Sequence, residues 1–290
     1  MGDREYTARA RELGQKLRAL REKAGLPAYD LADRLGWSAS KVSRIESGDR
    51  NLAEAQVVRY AAYCGATPND MDILQLLCRE ARNPGYWLTQ RLRSLLYYES
   101  TAITSSSWDS LVVPGILQTQ EYATALSTGA GVSPGLTHHY VGIRMERQRQ
   151  LNHGGFTFYV HEQALRLRVG GNRVMNEQLL KLVLLTDQAG ISIRVVPADL
   201  GERSHFGPTF IRWEYERHRP LVSVDIEPGL FLEEKPFVAT YQAKLDRIKE
   251  VALTVGQSRE VLAALASEFD RPEDPRDAPD RMAEEQLQRT

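Results

Sequence analysis

Cysteine, long apolar runs and net charge are all scarce in this chain, and each shortage removes a class of protein. Two cysteines, Cys64 and Cys78, occur in 290 residues. Both fall within helical patterns, with no CxxC pair and no Cys/His cluster nearby, so they read as reduced core thiols and not as metal ligands or a disulfide. No stretch approaches ~18 consecutive apolar residues, so no transmembrane helix is expected. The opening MGDREYTARARE is charged and lacks the apolar core of a secretory signal. A cytoplasmic protein with no membrane partner is expected. The formal net charge is −1, so no basic field covers the whole chain. Residues 1–50 nevertheless carry 11 Lys/Arg against 8 Asp/Glu, a local surplus compatible with phosphate contact.

Catalytic signatures are missing as well. His161-Glu162 opens HEQAL, without the second histidine of an HExxH zinc helix. Gly170-Gly171-Asn172 is followed by no GKS or GKT, and no GxSxG occurs. His138-His139 has no Asp, Glu or Cys at ligand spacing. The chain is expected not to be an enzyme, with no catalytic residue, no metal and no cofactor.

What is present is a run of short helices. The length suits two domains, and a hydrophobic share of 42% is enough for real cores. Ala10, Leu13, Leu17, Leu20 and Ala24 recur in steps of three or four, the stripe of one helix face. Gly25 supplies a stop, and Pro27 opens a second helix, PAYDLADRLG, that buries Leu31, Ala32 and Leu35. Ser38 is a good N-cap for a third, SASKVSRIESG, with Val42 and Ile45 inward and Gly48 at its end. Two more helices are expected at about Leu52–Tyr63 and Asn69–Arg82. Helix two, the turn Gly36-Trp37-Ser38 and helix three leave the N-terminus of the third helix free to enter a major groove. Its outward residues are Ala39, Ser40, Lys41, Ser43 and Arg44, small or basic. An arginine there can bond guanine O6/N7, and serine hydroxyls fit several base or phosphate partners.

Residues 83–105 place Trp87, Leu88, Leu92, Leu95 and Leu96 on one face of a connecting helix. Beyond residue 105 the periodicity changes. Strands are expected at FTFYVHE (156–162), ISIRVVP (191–197), TFIRWEY (209–215) and LVSVDIE (221–227). The last two are separated by a loop of hairpin length. Helices are expected near Glu121–Thr128, Gly135–Leu151, Asn172–Gln188 and, as one long element, Val238–Phe269. The fold class is therefore multidomain: an all-α N-terminal domain (1–82), the connecting helix (83–105), an α+β domain with a mixed sheet (106–269) and a disordered charged tail (270–290). Pro114-Gly115 reads as a bend with Gln118, Glu121 and Tyr122 on the next turn. Arg144, Arg147 and Gln148 share a helix side, and Glu162 follows a strand. These residues either line a pocket for a ligand or partner tail, or brace the domain by internal hydrogen bonds.

The run GLPAYDLADRLGWSASKVSRIESGDRN resembles the repressor-type (XRE) helix-turn-helix family without a gap. That resemblance implies a five-helix repressor-like domain and a sequence-specific transcriptional regulator bound to double-stranded DNA as a homodimer. It implies base contact at Ala39, Ser40 and Ser43, with Arg44 one position on, and phosphate contact at Ser38, Lys41, Arg50 and Asn51. It also implies that Glu46 pairs with Arg21 to fix the fold. The chain departs from the family where glutamines are usual: Ala28 and Ala39 stand there, so direct readout rests on Ser40, Ser43 and Arg44. Further on, SLVVPGILQTQEYATAL (110–126), RMERQRQL (144–151), HEQALRLRVGG (161–171) and IRVVP (193–197) resemble the C-terminal domain of actinobacterial, WhiJ-like regulators. This implies a C-terminal domain that binds a small partner protein, encoded by an adjacent gene, or a ligand that modulates DNA binding. Gln118, Tyr122, Arg144, Arg147, Gln148 and Glu162 are the candidate contacts. The alternative is an antitoxin-like protein that sequesters a small partner and binds DNA for autoregulation.

Overall fold

The computed structural model describes residues 7–81, 85–88, 91–152, 155–226 and 229–271. Five helices come first: α1 (Ala8–Lys23), α2 (Ala28–Leu35), α3 (Ala39–Glu46), α4 (Glu54–Tyr63) and α5 (Pro68–Glu80). Next are β1 (Gly85–Leu88), α6 (Arg91–Thr101), β2 (Thr104–Asp109), α7 (Gln120–Gly129) and α8 (Pro134–Arg147). Then come β3 (Gly155–His161), α9 (Glu162–Arg166), α10 (Asn172–Leu185) and β4 (Ile191–Val196). The chain closes with β5 (Phe210–Glu214), β6 (Leu221–Val224), β7 (Gly229–Leu232), α11 (Lys235–Val251) and α12 (Val255–Phe269). A helical helix-turn-helix region is thus followed by an α+β region whose strands run both parallel and antiparallel. No helix among the described residues is long and apolar enough to cross a membrane.

Compactness does not follow chain order. One unit holds the chain up to Ile103 together with Phe210–Ala243, and the other holds Thr104–Thr209 and the chain from Lys244.

In the first unit the five helices form around Leu17, Leu31, Val42, Ile45, Val57, Tyr60 and Leu74, all buried. Local signals set their ends. The Thr7 hydroxyl accepts from Ala10 N–H at 3.2 Å to open α1, and Thr67 and Asp70 close a reciprocal capping box on α5. Cys64 and Cys78 are buried and form no disulfide, and burial pushes the Cys64 thiol up to about 11.

A second core in this unit draws on distant sequence. β7 pairs antiparallel with β1 and with β6, and β6 pairs antiparallel with β5. Trp213 and Phe231 stack at 6.2 Å, against Tyr98 and Leu95 of α6 and Ala8 of α1. Polar ties run alongside. Glu12 of α1 accepts from Arg9 at 2.7 Å, Ser94 at 3.1 Å and Tyr98 at 3.0 Å. The Glu233 carboxylate, just past β7, accepts the Ala8 N–H at 2.7 Å and so caps the first turn of α1.

Burial raises the Glu233 carboxyl to about 7, against the opposing pull of the Ala8 N–H, Arg11 and Arg219. A carboxyl whose folded pKa lies above its unfolded value adds stability that is complete below the unfolded value and is lost as pH rises through the folded one. Stability is therefore expected to fall between about pH 4.5 and 7, by on the order of 3 kcal/mol at most. Glu233→Gln, which keeps an acceptor for Ala8, should flatten that slope in denaturant titrations across the window. An unchanged slope would exclude Glu233 as its source.

In the second unit β3 pairs in parallel with both β2 and β4. The apolar strand residues Phe158, Val160, Ile193 and Val195 pack with Met175, Leu179 and Leu182 of α10 and Leu262 and Leu265 of α12. The connection from β3 to β4 through α9 and α10 is the strand–helix–strand unit expected from the sequence. Gly170 and Gly171, at φ +70 and +86, make the turn into α10.

Several elements differ from the sequence expectation. The segment 83–105 is not one helix: Trp87 and Leu88 lie in strand β1, and among its described residues only α6 is helical. The strand depends on β7, a partner more than a hundred residues away, which no local pattern announces. β2 and β7 were likewise not expected. The long helix of 238–269 is two. Thr254 accepts from Gln257 N–H at 3.3 Å while Gln257 Oε1 accepts from Thr254 N–H at 3.0 Å, opening α12 afresh. Arg194 donates to the carbonyls of Ala252 at 2.7 Å and Leu253 at 2.8 Å, fixing the end of α11. Of the expected tail, residues 272–290 lie outside the described residues.

Candidate nucleic-acid interface

Gly36 adopts φ 68, ψ 37, the left-handed conformation that ends α2 and reverses the chain within one residue. Ser38 then opens α3, its hydroxyl accepting from Lys41 N–H at 3.1 Å. Val42 and Ile45 are fully buried, and this pins the orientation of the helix. Ser38, Ala39, Ser40, Ser43 and Arg44 are consequently exposed on its outer side, with Arg50 and Asn51 exposed on the loop beyond. The eight residues proposed from sequence therefore occupy one helix and its flanking loop, and seven of them are open to solvent.

Lys41, the eighth, is half-buried because its ammonium sits 3.8 Å from the centre of the Trp37 ring. Its pKa is lowered by that burial and by Arg50 and Arg59 nearby. Three cations thus converge beside α3. Arg59 is exposed on α4 and donates to the Leu35 carbonyl at 3.3 Å. It and Trp37 belong to this surface although the sequence reading left both out. Nothing in the α4 pattern marks Arg59, since its place depends on how α4 packs on α2.

The far side of α3 is held by the ion pair that the family resemblance implies. Arg21 Nε donates to Glu46 at 2.6 Å and Nη2 to its other oxygen at 2.9 Å, a bidentate pair. Tyr60 donates to Glu46 at 2.6 Å, and Arg21 also donates to the Leu26 carbonyl at 2.8 Å. Gly14 lets α1 pass close to α3: a Cβ there would fall 2.8 Å from the Glu46 carbonyl oxygen.

The C-terminal candidates separate into two places. Gln118 is buried, its amide donating to the Val113 carbonyl at 2.8 Å and its side-chain oxygen accepting from Arg144. The Gln118 carbonyl accepts from Gln148 at 2.5 Å and from Lys181 at 3.0 Å, and Tyr122 accepts from Val113 N–H at 3.3 Å. Arg147 is buried beside them, within van der Waals range of a Cβ placed at Gly115. Glu162 lies elsewhere, accepting from Arg166 at 2.8 Å and from Ala198 N–H at 3.0 Å. All of these bonds are internal. Gln178 and Lys181 of α10 complete the first cluster and were not singled out in sequence, because each looks like an ordinary polar helix residue.

Residues 12–74 match the family model described as a helix-turn-helix domain. Residues 92–264, more than half of the chain, match the model of a domain of unknown function (DUF5753). The chain belongs to the DUF5753 family. No curated protein matches it. The DUF5753 segment is divided between the two compact units: its α6 and β5–β7 lie in the unit that contains the helix-turn-helix, and its remaining strands lie in the other.

Proposed function

We propose that this protein is a sequence-specific transcriptional regulator of the XRE type that binds operator DNA as a homodimer. One observation carries the reading: α3 exposes a face of small and basic residues beside the convergent cations Lys41, Arg50 and Arg59. Ser40, Ser43 and Arg44 read base edges, while Ser38, Lys41, Arg50, Asn51 and Arg59 hold phosphates. In a dimer each copy reads one half-site, centred about 34 Å apart for adjacent grooves. The protein acts by binding and not by catalysis, and the DUF5753 segment takes a small partner protein or ligand that shifts DNA affinity, as in WhiJ-like regulators of actinobacteria.

Arg44→Ala is expected to weaken cognate binding by about 1–3 kcal/mol with less effect on random DNA. Lys41→Ala should weaken both and flatten the salt dependence. Quantitative footprinting at several salt concentrations checks each. An unchanged footprint in the Ser40→Ala/Arg44→Ala double variant would overturn the assignment of α3.

An antitoxin-like reading, in which a small partner is sequestered, is favoured by one feature of the second unit. Leu180 and Leu184, one turn apart on α10, are 47% and 72% exposed. Co-purification of a small protein that Leu180→Asp/Leu184→Asp releases would support this reading, and its failure to form a stable complex would exclude it.

A further inference from the structure

Within the first unit a cleft of about 320 Å³ opens beside α1, lined by Arg11, Arg18, Tyr97, Tyr215, Arg217 and His218. Its volume falls at the small end of the range that holds small-molecule ligands. Two of its residues are incompletely satisfied. Arg11 is 6% exposed and Tyr215 is 9% exposed, yet Arg11 Nη2 and the Tyr215 hydroxyl have no hydrogen-bond partner. Buried polar groups are almost always paired, so two such donors side by side call for an explanation. They are neighbours: the Arg11 guanidinium lies 5.2 Å from the centre of the Tyr215 ring.

Most of the charge around the cleft is already paired. Glu46 reaches it, but both of its oxygens are engaged by Arg21, and Tyr60 adds a third bond. Glu216 is exposed on the β5–β6 turn next to Arg217. Arg18 is engaged by Glu22 at 2.8 Å and Arg217 stands 4.0 Å from Glu216, so the unused cationic donor in the cleft is Arg11 Nη2. His218 is held below its ordinary pKa by partial burial and then by Arg11 and Arg217, against the pull of Asp49, so the two arginines converge on it. Two buried donors without acceptors, one of them cationic, make a receptor for an anion.

We propose that this cleft binds a small anionic ligand, a phosphate ester or a carboxylate, and that its occupancy biases the position of α3. Glu46, the last residue of α3, and Ser47 line the same cleft. Gly48, at φ +80, lies so close to α1 that a Cβ there would fall 2.6 Å from the Arg11 Cα. A ligand that draws Arg11 inward therefore acts on the chain immediately after the reading helix. The regulatory half of this inference rests on the DNA-binding reading above, and the binding half does not.

The test uses the full chain and a panel of inorganic phosphate, a phosphate monoester and a dicarboxylate, followed by thermal stabilisation and calorimetry. At least one of these is expected to bind saturably and to raise the Tm. Tyr215→Phe removes only an unpartnered hydroxyl and Arg217→Ala only an exposed side chain, so both should fold. Each is expected to weaken that binding about tenfold, while Lys41→Ala leaves it unchanged. Saturable binding by no member of the panel, or equal binding in Tyr215→Phe and Arg217→Ala, would overturn the proposal. So would loss of binding in Lys41→Ala, which would place the anion on the DNA-reading surface. Where ligand binds as expected, saturating ligand should change the affinity for bound DNA in the wild type and not in Tyr215→Phe. Ligand binding without that change would overturn the coupling to α3 and leave the site itself standing, and absence of any DNA binding would count against the function proposed above alone.

Discussion

Glu46→Ala is expected to destabilise the helix-turn-helix by about 3–5 kcal/mol, the range for removing one partner of a buried ion pair. The Arg21 and Glu46 side chains are 10% and 8% exposed, so the guanidinium left behind cannot be rehydrated in place. Tyr60, fully buried, loses the acceptor of its hydroxyl at the same time. Three elements come apart together, because Arg21 belongs to α1, Glu46 ends α3 and Tyr60 belongs to α4. Urea unfolding of the variant should show a lower midpoint, and DNA affinity should fall even though the Glu46 carboxylate is fully engaged within the protein. Glu46→Gln, which keeps an acceptor for Tyr60 but no charge for Arg21, should lose less. A Glu46→Ala variant within about 1 kcal/mol of wild type would show that the pair does not hold α3, since surface pairs are worth no more than that.

Trp213→Ala is expected to cost about 3–5 kcal/mol, the usual loss for deleting a buried aromatic. Trp213 is wholly buried, stacks on Phe231 and approaches Tyr98 with ring centres 5.9 Å apart. The same cluster includes Ala8, the first residue of α1. The damage should therefore reach the DNA-reading helices, although Trp213 lies some 170 residues from α3 in the chain. Hydrogen exchange of the α1 amides measures this, and protection should drop in the variant. If α1 keeps its wild-type protection while β5–β7 open, the helix-turn-helix folds independently of those strands and the first unit is not one cooperative body.

The same contrast runs through the whole chain. The α2–turn–α3 segment was legible because every signal in it is local. Gly36 can take φ 68 where other residues strain, Ser38 caps a helix three residues on, and Val42 and Ile45 define an inner face. β3–β6 were legible for a related reason, since their β-branched and aromatic runs have few other ways to be buried. β2, TSSSWD, was not: three serines carry no apolar alternation, and Ser105 and Ser107 are buried in a strand that pairs with β3. β1 and β7 have four residues each; β1 is a strand by pairing with β7, and β7 by pairing with β1 and β6. The break at Thr254 was written in the sequence as a capping box, but helical periodicity on either side concealed it.

The candidate site divides in the same way. The outward exposure of seven of the eight positions proposed for DNA contact could be read from sequence, because a helix of known orientation fixes which side chains face out. Arg59 could not, because its place beside Lys41 is set by packing of α4 on α2. The Gln118–Arg144–Gln148 cluster could be suspected, yet only coordinates assign its hydrogen bonds to partners within the protein.

Sequence alone therefore determined that an all-helical reader precedes an α+β segment, and which residues of the reader face outward. Those properties depend on neighbours within about four residues, where chain connectivity supplies proximity and little entropy is lost in closing the contact. Tertiary structure decided the rest. It placed β5–β7 in the same unit as the helix-turn-helix, set Glu233 on the first turn of α1, and brought Arg11, Tyr215 and Arg217 to one cleft. Arg11 stands about two hundred residues from Tyr215 and Arg217, as α1 does from Glu233, and strand pairing and burial bring them together.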